Sequence, residues 1–120
     1  MNIIEYITKE RDNKGVGYKA FADALGISSQ RFYQIMGQED THFSIARKMV
    51  RVLGQDFDIQ KPDGSPAEMN VVETLSKLED ANAMFSNAEA MVEAIGLVLA
   101  IVDLPEKAHE ETQEKEKISE

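Results

Sequence analysis

The sequence predicts an all-α protein, with an N-terminal domain of four to five short helices followed by a longer helical segment. Two observations predict this fold class. Apolar side chains in residues 1–54 recur every three to four positions, as on one face of a helix, and glycines interrupt the runs. Residues 67–104 continue a seven-residue apolar repeat and contain no proline and a single glycine, Gly96.

The first four helices are predicted from short amphipathic runs. Their expected bounds are residues 3–11, 18–25, 29–36 and 43–53. Gly26, Gly37 and Gly54 directly follow the last three runs, where glycine commonly ends a helix. Ser28 or Ser29 can cap the third run, because a serine oxygen accepts a free backbone N–H at a helix start. Helices this short are not stable alone, so we expect them to pack into one domain, residues 1–59.

A seven-residue repeat dominates the second half of the chain. It follows a linker at residues 60–66, which contains two prolines and an Asp-Gly pair. One set of repeat positions is Val71, Leu78, Phe85, Val92 and Leu99, and the other is Thr74, Ala81, Ala88, Ile95 and Val102. These sets form the a/d pattern of a coiled coil over residues 67–104. The expected oligomerisation contacts are Val71, Leu78, Phe85, Val92, Ile95, Leu99 and Val102.

An alternative for this segment is a helical hairpin that packs on the first domain of the same chain. The sequence Ser-Asn-Ala-Glu at residues 86–89 matches a capping box, which would start a second helix there. In either arrangement residues 95–102 are apolar nearly all round and need burial. Residues 105–120 are rich in Glu and Lys and are predicted to form an acidic disordered tail.

Charge is divided unevenly between the two halves of the chain, whose net charge is −9. Residues 1–61 contain nine Lys/Arg and eight Asp/Glu, a net charge of +1. Residues 62–120 contain four Lys/Arg and fourteen Asp/Glu, a net charge of −10. The acidity therefore belongs to the second half, and the near-neutral first half permits DNA binding without requiring it.

Composition argues against several other classes of protein. Cysteine is absent, which excludes disulfides and thiolate metal sites. The N-terminus has no signal-peptide pattern, and the most apolar run, residues 94–102, is far shorter than the roughly 20 residues that span a membrane. We therefore expect a soluble, cytoplasmic protein with no membrane partner. His42 and His109 have no ligand-spaced neighbours and no catalytic motif is found, so we expect no metal, no cofactor and no enzymatic activity.

Residues 18–37 contain the most informative motif, YKAFADALGISSQRFYQIMG. Two helices joined by a tight turn need a small residue where they approach closely, and Ala22 supplies it. Gly26, four residues later, tolerates the positive φ of the turn. Apolar side chains fall where such a pair must be held together, at Phe21, Leu25, Ile27, Phe32 and Ile35. The pattern predicts a helix-turn-helix.

Residues 1–59 resemble the helix-turn-helix domains of the lambda-repressor/Cro-like (XRE-type) family. The resemblance rests on A-x-x-x-G-I-S at 22–28 and on the later helix I-A-R-K-M-V-R-V-L-G at 45–54, and it covers about half of the chain. It implies a domain that places its third helix in the major groove of double-stranded DNA. It also implies a transcriptional repressor, of the kind found in phages and mobile elements, that binds as a dimer or higher oligomer.

The resemblance assigns roles to the polar side chains around the third helix. Base edges would be read by Ser29, Gln30, Tyr33 and Gln34, since glutamine can bond adenine through two hydrogen bonds. Phosphate contacts are expected from Lys14, Tyr18, Lys19 and Arg31. Glu39 and Asp40 depart from the family pattern, because carboxylates at this place oppose DNA electrostatically. They can instead act as caps or N-terminal charges for the next helix.

These observations predict a sequence-specific DNA-binding regulator that self-associates. The alternative is a non-enzymatic interaction module, an antirepressor or adaptor, that keeps the fold and binds another regulatory protein through its acidic helical surface. The polar face of the third helix favours DNA binding, whereas the net acidity and the Glu39-Asp40 pair favour the alternative.

Overall fold

Six helices and one two-stranded sheet make up the described part of the protein. A computed structural model describes residues 1–105. The elements in chain order are α1 (Ile3–Lys14), α2 (Tyr18–Leu25), α3 (Ser29–Met36), α4 (Phe43–Val52), β1 (Gln55–Gln60), α5 (Val71–Asp80), α6 (Phe85–Ala94) and β2 (Val98–Asp103). The two strands pair antiparallel, although two helices separate them in the chain.

The four helices predicted in the first half are present, and α1 extends three residues beyond its expected end. Asn2 begins α1, since its side-chain oxygen accepts a hydrogen bond from the N–H of Glu5 at 3.0 Å. Gly15 ends it in a left-handed conformation with φ of 68° and donates its N–H to carbonyls of the last turn. These local signals lie within a few residues of each helix end, and they set the bounds of the helices.

The all-α fold class is wrong, because the described residues contain an antiparallel sheet and no coiled coil. Residues 55–60 and 98–103, expected in part as linker and as helix, form β1 and β2. Gly54 and Gly96 have φ of 79° and 80°, which stops α4 and α6 and turns the chain into each strand. The run Val-Leu-Ala-Ile-Val at residues 98–102 is rich in β-branched side chains and pairs with β1.

The predicted oligomerisation residues do not form a continuous helical seam. Val71 and Leu78 lie on α5, Phe85 and Val92 on α6, Leu99 and Val102 on β2, and Ile95 directly after α6. The helices break at residues 81–84, where Asn82 adopts a positive φ of 55°. Phe85, Val92 and Leu99 are buried in the core of the chain itself, so they cannot serve as contacts to another copy in this conformation. The tail predicted from residue 106 onward lies outside the described residues.

One hydrophobic core joins the two halves of the chain. It includes Ile3 and Ile7 of α1, Phe21 of α2 and Leu99 of β2. The Phe57 ring lies between those of Phe43 and Phe85, with centroid distances of 5.1 and 5.6 Å. Such aromatic contacts add to the stabilisation that burial of the rings provides. β1 is therefore covered by helices that come before and after it in the sequence.

A partly buried ion-pair network connects α4, β1 and α5. The guanidinium of Arg47 donates to Oδ1 of Asp56 at 3.0 Å and to Oε1 of Glu79. Arg51 also donates to Asp56, through Nη2 at 3.1 Å. Burial disfavours the charged carboxylate of Asp56, but the bonds from Arg47 and Arg51 outweigh this and hold its pKa below the usual value.

A helix that crosses a bilayer must be both long and apolar, about 20 residues. None of the helices within residues 1–105 combines enough of both to cross a membrane.

Candidate nucleic-acid interface

The turn between α2 and α3 is held by glycine and by backbone hydrogen bonds. Gly26 has φ of 74° and donates its N–H to the carbonyl of Asp23 at 3.1 Å. The N–H of Ile27 bonds the carbonyl of Ala22 at 3.0 Å. Ser28 then caps α3, because its Oγ accepts the N–H of Arg31 at 3.0 Å. These bonds fix the direction in which α3 leaves α2.

The inner side of α3 packs tightly against α2. Phe32 and Ile35 are buried, and the ring of Phe32 stacks on that of Phe21 with 5.0 Å between centroids. Ala22 is fully buried, as expected of the small residue between the helices. Because the inner side is fixed by these contacts, the opposite side of α3 is held in one orientation toward solvent.

The outer side of α3 presents most of the side chains predicted to contact DNA. Gln30, Arg31, Tyr33 and Gln34 are exposed, whereas Ser29 is half-buried. No acidic residue occurs in α3. The predicted base-reading side chains are thus brought onto one helix face, with Ser29 at its margin.

Tyr33 is held by a stack that sequence reasoning did not predict. The ring of Tyr33 lies parallel to that of Tyr18, with 4.4 Å between centroids and 13° between planes. The guanidinium carbon of Arg11 lies 4.1 Å from the centroid of the Tyr18 ring. A further bond runs from Nη1 of Arg11 to the carbonyl of Val16 at 2.9 Å. The cation–π contact and the ring stacking fix Tyr33 before any ligand is present.

Arg11 was missed as a member of this surface because nothing near it in sequence indicates the contact. It lies seven residues before Tyr18, in α1, for which the sequence predicts only an amphipathic helix. The contact forms only because the turn at residues 15–17 brings α1 back beside α2. Arg11 adds a positive charge beside α3, although Nη2 of the same side chain also lies 3.4 Å from a carboxylate oxygen of Asp12.

Three of the predicted phosphate-binding side chains are free to meet an anion. Lys14, Lys19 and Arg31 are exposed, and within residues 1–105 none of them forms an ion pair. Tyr18, the fourth, is half-buried by the stack. The cations lie at the end of α1, in the first turn of α2 and in the first turn of α3.

Comparisons with known proteins add no assignment to this geometry. Neither protein-family models, nor curated proteins, nor solved structures gave a match.

The two acidic residues after α3 differ in their contacts: Glu39 faces solvent, whereas the carboxylate of Asp40 accepts hydrogen bonds. Asp40 accepts hydrogen bonds from the backbone N–H and the Oγ of Ser86, in the first turn of α6, and from its neighbour Thr41. The alternative role expected for these residues was to cap the next helix, α4. Asp40 instead bonds to the start of α6, which ties the two halves of the chain together.

Other kinds of site find little support in the described part of the chain. No group of three or more His, Cys, Asp or Glu side chains in residues 1–105 lies close enough together to hold a metal ion. A shallow, open groove between α2 and α4 is lined by Ala24, Leu25, Lys48, Arg51 and Val52. This groove lacks paired acid and base groups of the kind that catalyse proton transfer.

Proposed function

We propose that the protein is a sequence-specific DNA-binding transcriptional regulator that inserts α3 into the major groove. The observation that supports this most is the outer face of α3, which is polar, exposed and free of acidic residues. Lys14, Lys19 and Arg31 are exposed at the end of α1 and in the first turns of α2 and α3, and within residues 1–105 they form no ion pair. A helix presented in this way, capped at its start and packed firmly on its inner side, suits base readout.

The chemistry of the face fits bases rather than phosphates alone. Gln30 and Gln34 lie four residues apart, one turn along α3, and each amide can both donate and accept toward the N6 and N7 edge of adenine. Arg31 can bond guanine or a phosphate. Tyr33 offers a ring whose position is already fixed by Tyr18, which lowers the entropy lost on binding.

The affinity for DNA depends on how many copies of α3 contact it. Few cations flank α3, so one domain should bind non-specific DNA weakly, because that term grows with the number of phosphates neutralised. Two half-sites would offset this weakness. The seven-residue seam predicted for self-association cannot join two copies in this conformation, because Phe85, Val92 and Leu99 lie inside the chain.

DNA selection followed by fluorescence anisotropy tests the proposal. We expect the purified protein to enrich one sequence from a random pool and to bind it less tightly as salt rises. The double variant Gln30→Ala/Gln34→Ala should lose roughly 1–3 kcal/mol of preference for that sequence per lost bidentate contact. Gln60→Ala, a glutamine change on β1, is the matched control and should leave the preference unchanged. No enrichment even at low salt would rule out the proposal.

A second candidate is a protein-interaction module, and a different observation favours it. Of the large apolar side chains exposed in the described residues, Met91, Ile95, Val98 and Leu104 all lie in the acidic second half. Exposed apolar groups gathered in one region often mark a protein contact. DNA binding by α3 and protein binding by the second half use different surfaces and are compatible with each other.

A further inference from the structure

Residues 41–60 and 83–102 are two copies of one structural unit, here called the first unit and the second unit. Each contains a ten-residue helix, a glycine with positive φ and a strand, in the same order. Aligned at a separation of 42 positions, they are identical at seven of twenty residues. The identical pairs are Phe43/Phe85, Ser44/Ser86, Ala46/Ala88, Met49/Met91, Val50/Val92, Gly54/Gly96 and Ile59/Ile101.

The backbone contacts between the units have two-fold symmetry. The N–H of Phe43 donates to the carbonyl of Ala83 at 2.8 Å, and the N–H of the equivalent Phe85 donates to the carbonyl of Thr41 at 2.7 Å. The strand register follows the same rule, because Asp58 pairs with its own equivalent, Ala100. The second unit therefore occupies the place that the partner's first unit would occupy in a symmetric dimer.

The units differ in what covers the outer side of their helices. In the first unit α4 packs against α1 and α2, and the exposed fractions of Met49 and Leu53 are 0% and 4%. In the second unit the equivalent residues, Met91 and Ile95, are 54% and 64% exposed. The helix before α6 does not cover them, because α5 packs against α4 and β1. A surface that helices cover in one unit is open in the other.

This open surface, here called the α6 face, carries no charge of its own but has an acidic border. It consists of Ala90, Met91, Ala94, Ile95 and Val98, all of them exposed. Of the five carboxylates in residues 78–105, Glu79 is paired with Arg47 and Glu89 with the N-terminal ammonium group, whereas Glu93 is exposed on α6 beside the face. The arginines at positions 47 and 51 of the first unit are replaced at the equivalent positions by Glu89 and Glu93.

We propose that the α6 face binds an amphipathic helix of another protein, with aliphatic side chains on one side and Lys or Arg on its flanks. The first unit supplies the pattern for the apolar part, since α1 covers the α4 side of the core with isoleucines at positions 3, 4 and 7. Ala90 and Ala94 stand where the first unit has Lys48 and Val52, so a helix can approach α6 closely. Helices that lie in apolar grooves are a common mode of recognition.

The acidic border decides between this occupant and the other candidates. A second copy of the chain would bring its own exposed Glu93 against the same group. The cation that pairs with α6, the N-terminal ammonium group of Met1, lies 2.9 Å from Oε1 of Glu89 and is already engaged there. Residues 106–120 have only two aliphatic side chains, Ala108 and Ile118, and carry more acidic than basic groups. A basic amphipathic helix from another protein satisfies both the apolar and the electrostatic requirement.

Binding of a defined peptide to the full chain tests the proposal, with no DNA present. The probe is a capped peptide of residues 2–15 in which Glu5, Glu10 and Asp12 are replaced by Lys. The control peptide keeps the same isoleucines but replaces Lys9, Arg11 and Lys14 by Glu. We expect the basic probe to shift the backbone amide NMR signals of residues 90–98. Its affinity should be at least about tenfold higher than that of the acidic control.

Two variants of the full chain locate the site. Ile95→Lys should weaken binding of the probe about tenfold or more, because it places a charge in the centre of the contact. Val72→Lys changes an equally exposed aliphatic residue on α5 and should leave binding unchanged. Both residues are exposed, and circular dichroism checks that the variants remain folded.

Three results would overturn the proposal: no binding of the basic probe, equal binding of the acidic control, or shifts confined to the region around α4. Sedimentation gives a fourth. A dimer that forms through the α6 face of the intact protein and is lost in Ile95→Lys would identify a second copy as the occupant. None of these results depends on whether α3 binds DNA.

Discussion

The first and second units have nearly the same helix and strand but play different parts in the molecule. In the first unit α4 is enclosed by helices on several sides, and its arginines hold Asp56 at the edge of the core. In the second unit Val98 replaces Asp56, and Glu89 bonds the N-terminal ammonium group of Met1 at 2.9 Å. The comparison teaches that the shared residues specify the local fold, whereas the residues that differ decide what each helix contacts.

The shared phenylalanines give the largest expected effect and test whether the units contribute equally to the core. Phe43 and Phe85 are both fully buried and start equivalent helices. We expect Phe43→Ala and Phe85→Ala each to lower the free energy of unfolding by about 3–5 kcal/mol. Urea denaturation followed by circular dichroism measures this. If Phe85→Ala unfolds like the parent protein, the second unit does not share the core.

The ion pairs of the first unit have no counterpart in the second, and their removal should be costly. Arg47→Ala removes the buried guanidinium that Asp56 and Glu79 share, and we expect a loss of about 3 kcal/mol, because Arg51 still bonds Asp56 and Glu79 is partly exposed. Arg51→Ala is the control, because this side chain is about half exposed and should contribute about 0–1 kcal/mol. Equal losses in the two variants would show that burial of Arg47 does not set its importance.

The shared methionines give the sharpest contrast between the units. Met49→Ala removes a fully buried side chain, and we expect it to cost about 2–5 kcal/mol. Met91→Ala changes the equivalent but exposed residue and should stay within about 0.5 kcal/mol of the parent protein. Thermal unfolding of both variants at one protein concentration measures the difference. A large loss in Met91→Ala would mean that the α6 face is already covered in the isolated protein.

The pH dependence of stability should show the smallest effect and should come from the first unit. The pKa of Asp56 is lowered in the folded protein, so folding favours its charged form. Its contribution to stability is therefore present above the ordinary carboxyl pKa and is lost as pH falls through the folded value. Asp56→Asn should flatten this acidic limb when urea unfolding is measured from about pH 6 to about pH 2. An unchanged limb would contradict the role given to the arginines.

Much of the first half could be predicted from the sequence, because its signals are local. The turn between α2 and α3 depends on Gly26 and Ser28, and both act on backbone groups within three residues of themselves. The buried positions Phe21, Phe32 and Ile35 follow helical spacing. The exposed face of α3 could therefore be named in advance, although the contact of Arg11 with Tyr18, the ring that stacks on Tyr33, depends on how α1 folds back.

The second half was predicted wrongly because two different structures place apolar residues at the same seven-residue spacing. Phe85, Val92 and Leu99 are seven residues apart, which is typical of one stripe along a coiled coil. Here Phe85 and Val92 are two helical turns apart on α6. The chain then reverses at Gly96, and β2 brings Leu99 back to the same core. The first unit repeats the arrangement with Phe43, Val50 and Phe57, all buried. The local signals of strands were the alternation of Asp and apolar residues at 56–59 and the β-branched side chains at 98–102.

The pairing of β1 with β2 has a consequence for the synthesis of the protein. A ribosome releases β1 long before residues 98–103, so during translation the strand carries an unpaired edge and the uncovered side chains of Phe57 and Ile59. Unpaired edges of this kind template aggregation and are open to proteases. Nascent chains that stall or end before residue 98 should therefore depend on chaperones or be degraded. A new molecule is protected from aggregation and proteolysis only after β2 has been synthesised and has paired with β1.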